Sequence, residues 1–343
     1  MTLRFTAFTL CVYLAGFVCE LQAAPQKRFE YKSTHMGTEW RIVLYAADST
    51  TADAAAKAAF ARVAELDAIM SDYDPKSELM RLCFTNDAKP GEPMAVSADL
   101  FDVLQKGQQV GKQSEGSFDM TVGPMVKLWR TARKSKELPA AAELAKAKEL
   151  IGIEKLILDP KARTVTLKRA GMRLDLGGIG KGYGADAALA VLRKQGVSRA
   201  LIAASGDVTV GDPPPDRDSW IVEIAPLAKG RPASFVKLAN ASVSTSGDLF
   251  QFVEIGDVRY SHVLDPKTGL GLTGRRSATV IAKQGWQADA LTKAASVLPP
   301  EQALTIIESI EGAAMFVVVK ETDEAKEQST QSKRFADFEA KED

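Results

Sequence analysis

The sequence predicts an α+β protein, in which helices and strands share one chain without a regular strand–helix–strand beat. Two observations carry this expectation. Alanine-rich stretches with helical spacing are interspersed irregularly with short β-branched and aromatic runs. Hydrophobic residues make up 45% of the 343 residues and charged residues 26%, enough apolar material for a large core and too much for a disordered chain.

The N-terminus reads as an address. Arg4 precedes an apolar run from Phe5 to Cys19, and small residues follow at Ala23 and Ala24, the layout of a secretory signal peptide. The run is shorter than the roughly 20 residues of a membrane span. Residues 1–23 are therefore expected to be a signal peptide, and the mature protein is expected to be exported, to the bacterial periplasm, with any membrane association confined to the N-terminus. Cys19 keeps lipoprotein anchoring open, although Phe17 and Val18 are bulky where a lipid-attachment motif wants small residues. Cleavage would remove Cys11 and Cys19 and leave Cys83 without a disulfide partner.

Phe29 to Tyr45 alternates and carries Trp40, Ile42, Val43 and Tyr45, which predicts one or two strands. Residues 51–73 place Phe60, Val63, Leu66 and Ile69 or Met70 on one helix face, with Thr51 or Asp53 as cap. A second helix is expected from an N-cap at Ser97 to Gln113, and a third over 140–150. Residues 155–176 read as three short strands turning at Asp159-Pro160 and Ala170-Gly171. A helix from Tyr183 to Gln195 should stop at Gly196. Strands are expected at 199–204, 219–225, 233–237, 250–254 and 276–282. Helices at 286–297 and 300–310, separated by Pro299-Pro300, precede a strand over 313–320. The polar, charged residues 321–343 follow, with 321–332 read as a solvated loop.

Charge and composition exclude several functions. Lysine plus arginine equals aspartate plus glutamate at 44 each, so the basic excess of a nucleic-acid binder is missing. Two histidines and three cysteines are too few for a His/Cys metal site, so a metal would have to be a hard cation held by oxygens.

The densest chemical signal is LDLGGIGKGYGADAA at 174–188, where five glycines fall between a strand and a helix. Such a loop lets backbone N–H groups approach a phosphate at a helix N-terminus. It is not a P-loop, because Gly182 rather than Ser or Thr follows Lys181, and it fits a dinucleotide fingerprint only loosely. A ligand-free tight turn is the competing reading. In QADALTKAASVLP (287–299), Asp289 and Thr292 share one helix face and offer oxygens suited to Mg²⁺ or Ca²⁺; the alternative makes both ordinary first-turn residues. YSHVLDPKTG (260–269) holds His262 beside a turn, a catalyst or a hydrogen-bonded structural residue. His35, before a strand, is taken as structural. FDMTVGPMVKLW (118–129) and SVSTSGDLFQF (242–252) are polar loops beside apolar runs.

Taken in order with MGTEWRIVLY (36–45), MSDYDPKSEL (70–79) and LIAASGDVTVGDPPP (201–215), these motifs resemble the ApbE family, the FAD:protein FMN transferases. The resemblance spans about residues 30 to 320, and implies a transferase domain over 24–320 with two subdomains and FAD in the cleft between them. It implies that Met36, Tyr73, Ser117, Phe118 and Asp119 contact the flavin nucleotide, that Asp175, Lys181 and Leu264 bind FAD, and that Gly178, Asp289 and Thr292 hold Mg²⁺. His262 would activate the acceptor hydroxyl. The implied reaction transfers FMN from FAD to a threonine or serine of a partner flavoprotein and releases AMP. A pyrophosphatase yielding FMN and AMP, and a non-catalytic exported flavin-binding protein, are the alternatives. The sequence departs from the family at one telling place. The commoner late-helix pattern, A-D-A-L-A-T, has threonine four residues after the aspartate; here Lys293 stands there and Thr292 comes one residue earlier. Either Thr292 still reaches the ion, or Lys293 faces the pyrophosphate and weakens the metal requirement.

Overall fold

The computed structural model describes residues 25–224, 234–247, 251–322 and 325–341; the signal-peptide segment 1–23 lies outside them, as do residues 248–250 of the 242–252 motif. The fold is α+β, as expected. Its centre is an eight-stranded sheet whose spatial order is Lys27–His35, Thr38–Ala46, Ala200–Ala204, Asp207–Val210, Ala241–Gly247, Arg275–Ala282, Ala314–Lys320 and Gln328–Gln331. Every neighbouring pair is antiparallel. Three small sheets surround it: Phe252–Ile255 with Val258–Leu264 and Gly271–Thr273, Trp220–Ile224 with Ser234–Leu238 and Glu339–Ala340, and Met94–Ala95 with Leu156–Asp159 and Thr164–Leu167. The helices are α1 (Ser49–Met70), α2 (Glu78–Ala88), α3 (Ala98–Gln113), α4 (Gly123–Ser135), α5 (Ala141–Leu150), α6 (Gly180–Lys194), α7 (Gly285–Val297) and α8 (Pro300–Ser309). None of those described is long and apolar enough to cross a membrane.

Alternation along the strands sorts side chains to the two faces of the large sheet. Ile42 and Leu44 point toward α1 and α6, packing with Ala52, Ala55, Ala59, Leu189 and Leu192. Val43 between them faces the other side, against Leu201, Val243, Trp220, Val236 and Phe335. Farther along, Ala278, Val280, Met315 and Val317 pack against α7 and α8 through Leu291, Ala294, Ala303 and Ile307. Small residues let the two central helices meet almost backbone to backbone. A Cβ on Gly182 of α6 would stand 2.1 Å from the carbonyl oxygen of Gly285 at the start of α7, and one on Gly285 would stand 2.5 Å from that of Gly182.

Several elements follow their expectation closely. The 29–45 region is a hairpin whose turn, Met36-Gly37, has positive φ at both residues, as a tight two-residue hairpin turn requires. Ser97 caps α3 by accepting a hydrogen bond from the Leu100 N–H. Others differ. Helix α1 starts earlier, because Asp48 rather than Thr51 or Asp53 is the cap, accepting from Thr51 N–H at 2.8 Å. Helix α6 begins inside the glycine run, at Gly180. Only two of the three strands expected in 155–176 form; Arg173 instead makes a single bridge to Val122. Residues 321–332 are not simply a loop. Gln328–Gln331 adds a strand to the large sheet, and Arg334 donates to the carbonyls of Ile307, Glu308, Ile310 and Ala313, satisfying the C-terminal end of α8.

Candidate functional site

A cavity of about 1090 Å³ opens between the glycine-rich loop, the first hairpin turn, the loop after α1 and the strand carrying His262. Met36, Tyr73, Lys181 and His262, four of the residues singled out in the sequence, line it together with Lys293. At its outer end Tyr73 is 76% exposed, and the Arg130 guanidinium lies 4.1 Å from the centre of its ring. Arg130 is fixed by Asp72 at 2.5 Å and Asp175 at 3.1 Å. Asp175 therefore acts on the cavity through Arg130; its other oxygen accepts the Gly177 N–H at 2.8 Å and holds the glycine loop in shape. Burial, with Asp72 nearby, pushes the Asp175 carboxyl above the usual carboxylate range. Met36 is placed by its own N–H, which donates to Asp67 at 2.7 Å.

At the inner end two ammonium groups and two carboxylates form one cluster. Lys181 Nζ lies 3.1 Å from Asp207 and 3.8 Å from Asp289, and Lys293 Nζ lies 3.1 Å from the other oxygen of Asp289. Asp289 is fully buried, and its Oδ2 also accepts the Gly182 N–H at 3.1 Å. Burial alone would raise this carboxyl, but Lys181 and Lys293 outweigh it and hold the group below its ordinary value. Burial likewise opposes the charge on Lys181, and Asp207 and Asp289 reverse that, raising its affinity for the proton. Asp207 is held in turn by the Ser244 hydroxyl at 2.5 Å. Ser246 lines the cavity with a buried hydroxyl that has no hydrogen-bond partner, a polar group left for a ligand.

His262 lines the same cavity. Its Nδ1 is 3.1 Å from the Gln251 carbonyl oxygen. A carbonyl can only accept, so Nδ1 carries the hydrogen and Nε2 keeps its lone pair. Burial, reinforced by the Lys293 charge, lowers its pKa from 6.5 to about 4, so the ring is neutral at neutral pH.

The remaining expected contacts do not line this cavity. Ser117 and Phe118 are buried, the latter in the main core, and the Ser117 hydroxyl is unpartnered. Asp119 accepts from both the N–H and the hydroxyl of Thr121, each at 2.7 Å, which braces the turn into α4. Leu264 packs with Trp129 and Val253 in a small outer cluster. His35 is structural as expected, bonded to Ser33 and stacked on Phe60.

The residues present do not fit the expected Mg²⁺. A hard divalent cation wants several free oxygen ligands. Asp289, the one carboxylate of the expected set, is already neutralised by two ammonium groups; the Thr292 hydroxyl donates to the Ala288 carbonyl at 2.6 Å and brings no charge. A Cβ on Gly178 would meet the Lys293 stem at 3.1 Å, so that side chain lies over the glycine. Among the described residues no group of three or more His, Cys, Asp or Glu is arranged to hold a metal. Arg130, Asp72 and Ser246 are parts of the site that the sequence reading passed over. Arg130 lies on α4, one residue beyond the 118–129 stretch that reads as a loop.

Comparison with known proteins places the chain in a family. The chain is 29% identical over 339 residues to the FAD:protein FMN transferase of Escherichia coli (strain K12), spanning 95% of each chain. It is 30% identical over 268 residues to that of Vibrio cholerae, spanning 77% of this chain and 78% of the relative. Among solved structures, the flavin transferase ApbE from Vibrio cholerae superposes with a TM-score of 0.80 at 27% identity, over 92% of this chain and 100% of that one. The apo flavinyl transferase ApbE of Pseudomonas stutzeri gives 0.79 at 27% identity, over 92% and 98%. The family profile of ApbE matches residues 36–317, and the chain belongs to the ApbE family.

Proposed function

We propose that this protein is an FAD:protein FMN transferase that moves FMN from FAD to a threonine or serine hydroxyl of a partner flavoprotein. The observation that carries the reading is the placement of a neutral His262, with Nε2 unprotonated, on the same cavity wall system as the Lys181 and Lys293 ammonium groups. The names of its relatives point the same way. At about 1090 Å³ the cavity slightly exceeds the roughly 300–1,000 Å³ of most small-molecule sites, room for a dinucleotide.

In this mechanism the diphosphate lies against Lys181, Lys293 and the N-terminus of α6, where ammonium N–H groups and backbone dipoles favour anions. Tyr73, stacked on Arg130, offers a flat surface to an aromatic ring. The acceptor hydroxyl oxygen forms a bond to the FMN-side phosphorus, and the bond from that phosphorus to the bridging oxygen breaks. AMP leaves with the electron pair, and the hydroxyl proton passes to Nε2 of His262. The ammonium groups face the charge that grows on the phosphate oxygens, the larger part of catalysis in phosphoryl chemistry. No step is assigned to a magnesium ion, since the donor set does not fit one. Export to the periplasm, proposed from the N-terminal sequence, would place the flavinylated partner outside the cytoplasm.

Incubation of the protein with FAD and a threonine-bearing acceptor domain, followed by intact-mass measurement of the acceptor, tests the proposal. A covalent FMN adduct is expected. Free FMN and AMP without an adduct would assign a pyrophosphatase, and intact bound FAD a binding protein.

A further inference from the structure

Lys293 occupies the place that a cation ligand would need. Its stem covers Gly178, and its Nζ is the 3.1 Å partner of the fully buried Asp289. The second oxygen of Asp289 is taken by the Gly182 N–H and faces Lys181 at 3.8 Å. The Thr292 hydroxyl on the same helix face donates to the Ala288 carbonyl of its own helix, and it adds no negative charge to offset the two ammonium groups. The cluster of Lys181, Lys293, Asp207 and Asp289 is therefore neutral as it stands. With a neutral side chain at 293 it would carry one net negative charge and would have to recruit a cation before accepting a diphosphate.

We propose that the Lys293 ammonium is the built-in cation of this site, so that FAD binds and FMN is transferred without a divalent metal ion. This rests on the transferase reading above. An ammonium has three N–H donors. One holds Asp289, and the side chain also lines the cavity, leaving donors for the diphosphate. The reaction balances as before: the bridging oxygen leaves with AMP and the electron pair, and Lys293 neutralises the growing charge while keeping its own proton. Lysine acts here as a point charge on phosphate, a role it fills in other phosphate sites. Fixing it on the rigid α7 by an i,i+4 pair with Asp289 positions the charge before the substrate arrives.

The test titrates the full-length mature protein with Mn²⁺, following free Mn²⁺ by electron paramagnetic resonance, and measures FAD binding by fluorescence quenching in excess chelator. The wild type should show no stoichiometric Mn²⁺ site and unchanged FAD affinity with chelator. Lys293→Thr should gain one Mn²⁺ per chain, and adding Asp289→Asn should remove it. Flavinylation in chelator should persist in the wild type and fall roughly 10²-fold in Lys293→Thr, with recovery on adding Mg²⁺. One Mn²⁺ per wild-type chain that is lost in Asp289→Asn, or wild-type FAD binding that collapses in chelator, would overturn the proposal. Should no flavinylation occur under any condition, the transferase reading fails, while the Mn²⁺ and FAD titrations still decide the role of Lys293. If Lys293→Thr does not fold, the wild-type titrations decide it alone.

Discussion

Gly182 and Gly285 meet so closely that neither can carry a side chain: a Cβ on the first would stand 2.1 Å from the carbonyl oxygen of the second. This contact brings α6 against α7, and with it the Gly182 N–H onto Asp289 at 3.1 Å. The packing of two helices thus sets the geometry of the inner site. Gly182→Ala should force the helices apart, costing about 1–3 kcal/mol as core overpacking does, and should weaken FAD binding at the same time. Denaturant titration and FAD fluorescence on the same preparation check both effects.

His262 is expected to act as proton acceptor. His262→Ala should lower flavin transfer by about 10²- to 10⁴-fold and leave FAD affinity nearly unchanged, because a proton acceptor acts in the transition state and not in ground-state binding. Equal losses in affinity and rate would make it a binding residue.

The pH dependence follows from the lowered pKa of the same ring. Only the neutral form accepts a proton, and it predominates above a pKa of about 4. The kcat/KM of the free enzyme should therefore stay level from neutrality down through pH 6 and fall only as pH approaches 4. After burial, the Lys293 charge is the next cause of that lowering. In Lys293→Thr the acid limb should shift toward higher pH, which pH–rate profiles of the two proteins would read directly.

The outline of the site was legible in the sequence, and its inner wiring was not. The glycine run, the lone histidine beside a turn and the Asp-x-x-x-Lys spacing on a helix are local patterns, and the structure brings Lys181, His262, Asp289 and Lys293 together. Met36 also lines the cavity, its place marked by a turn whose two residues both need positive φ. What sequence could not supply was the direction of the neighbouring side chains. Ser117, Phe118 and Asp119 point into the protein because the Asp119 carboxylate is consumed by Thr121 and the Phe118 ring by the core. Asp175 acts on the cavity through Arg130, a residue 45 positions earlier, and through the Gly177 N–H. Helix α4 was hidden because Gly123 and Pro124 open it, residues that read as a loop although proline suits a first helical turn. The terminal strand Gln328–Gln331 has no apolar alternation, and its place is decided by pairing with Ala314–Lys320 and by Arg334 behind it.

Helix α7 depends on a cap from another helix. Asp186 of α6 accepts the Gly285 N–H at 2.7 Å and the Trp286 N–H at 3.0 Å. Asp186→Ala leaves both donors unpaired and should lower stability by about 0.5–2 kcal/mol. Asp186→Asn keeps one acceptor oxygen but turns an amide NH2 toward the other N–H, and should recover only part of the loss. Thermal unfolding of the three proteins checks the order.

A transferase and a pyrophosphatase differ in where the FMN goes when the diphosphate is cleaved. The most direct measurement is the ratio of AMP released to FMN covalently attached, followed together over a time course with FAD and an acceptor domain bearing a single threonine site. Transfer predicts one AMP for each FMN on the acceptor, with no AMP formed once that threonine is replaced by alanine. AMP released at the same rate without the threonine, accompanied by free FMN, would contradict it.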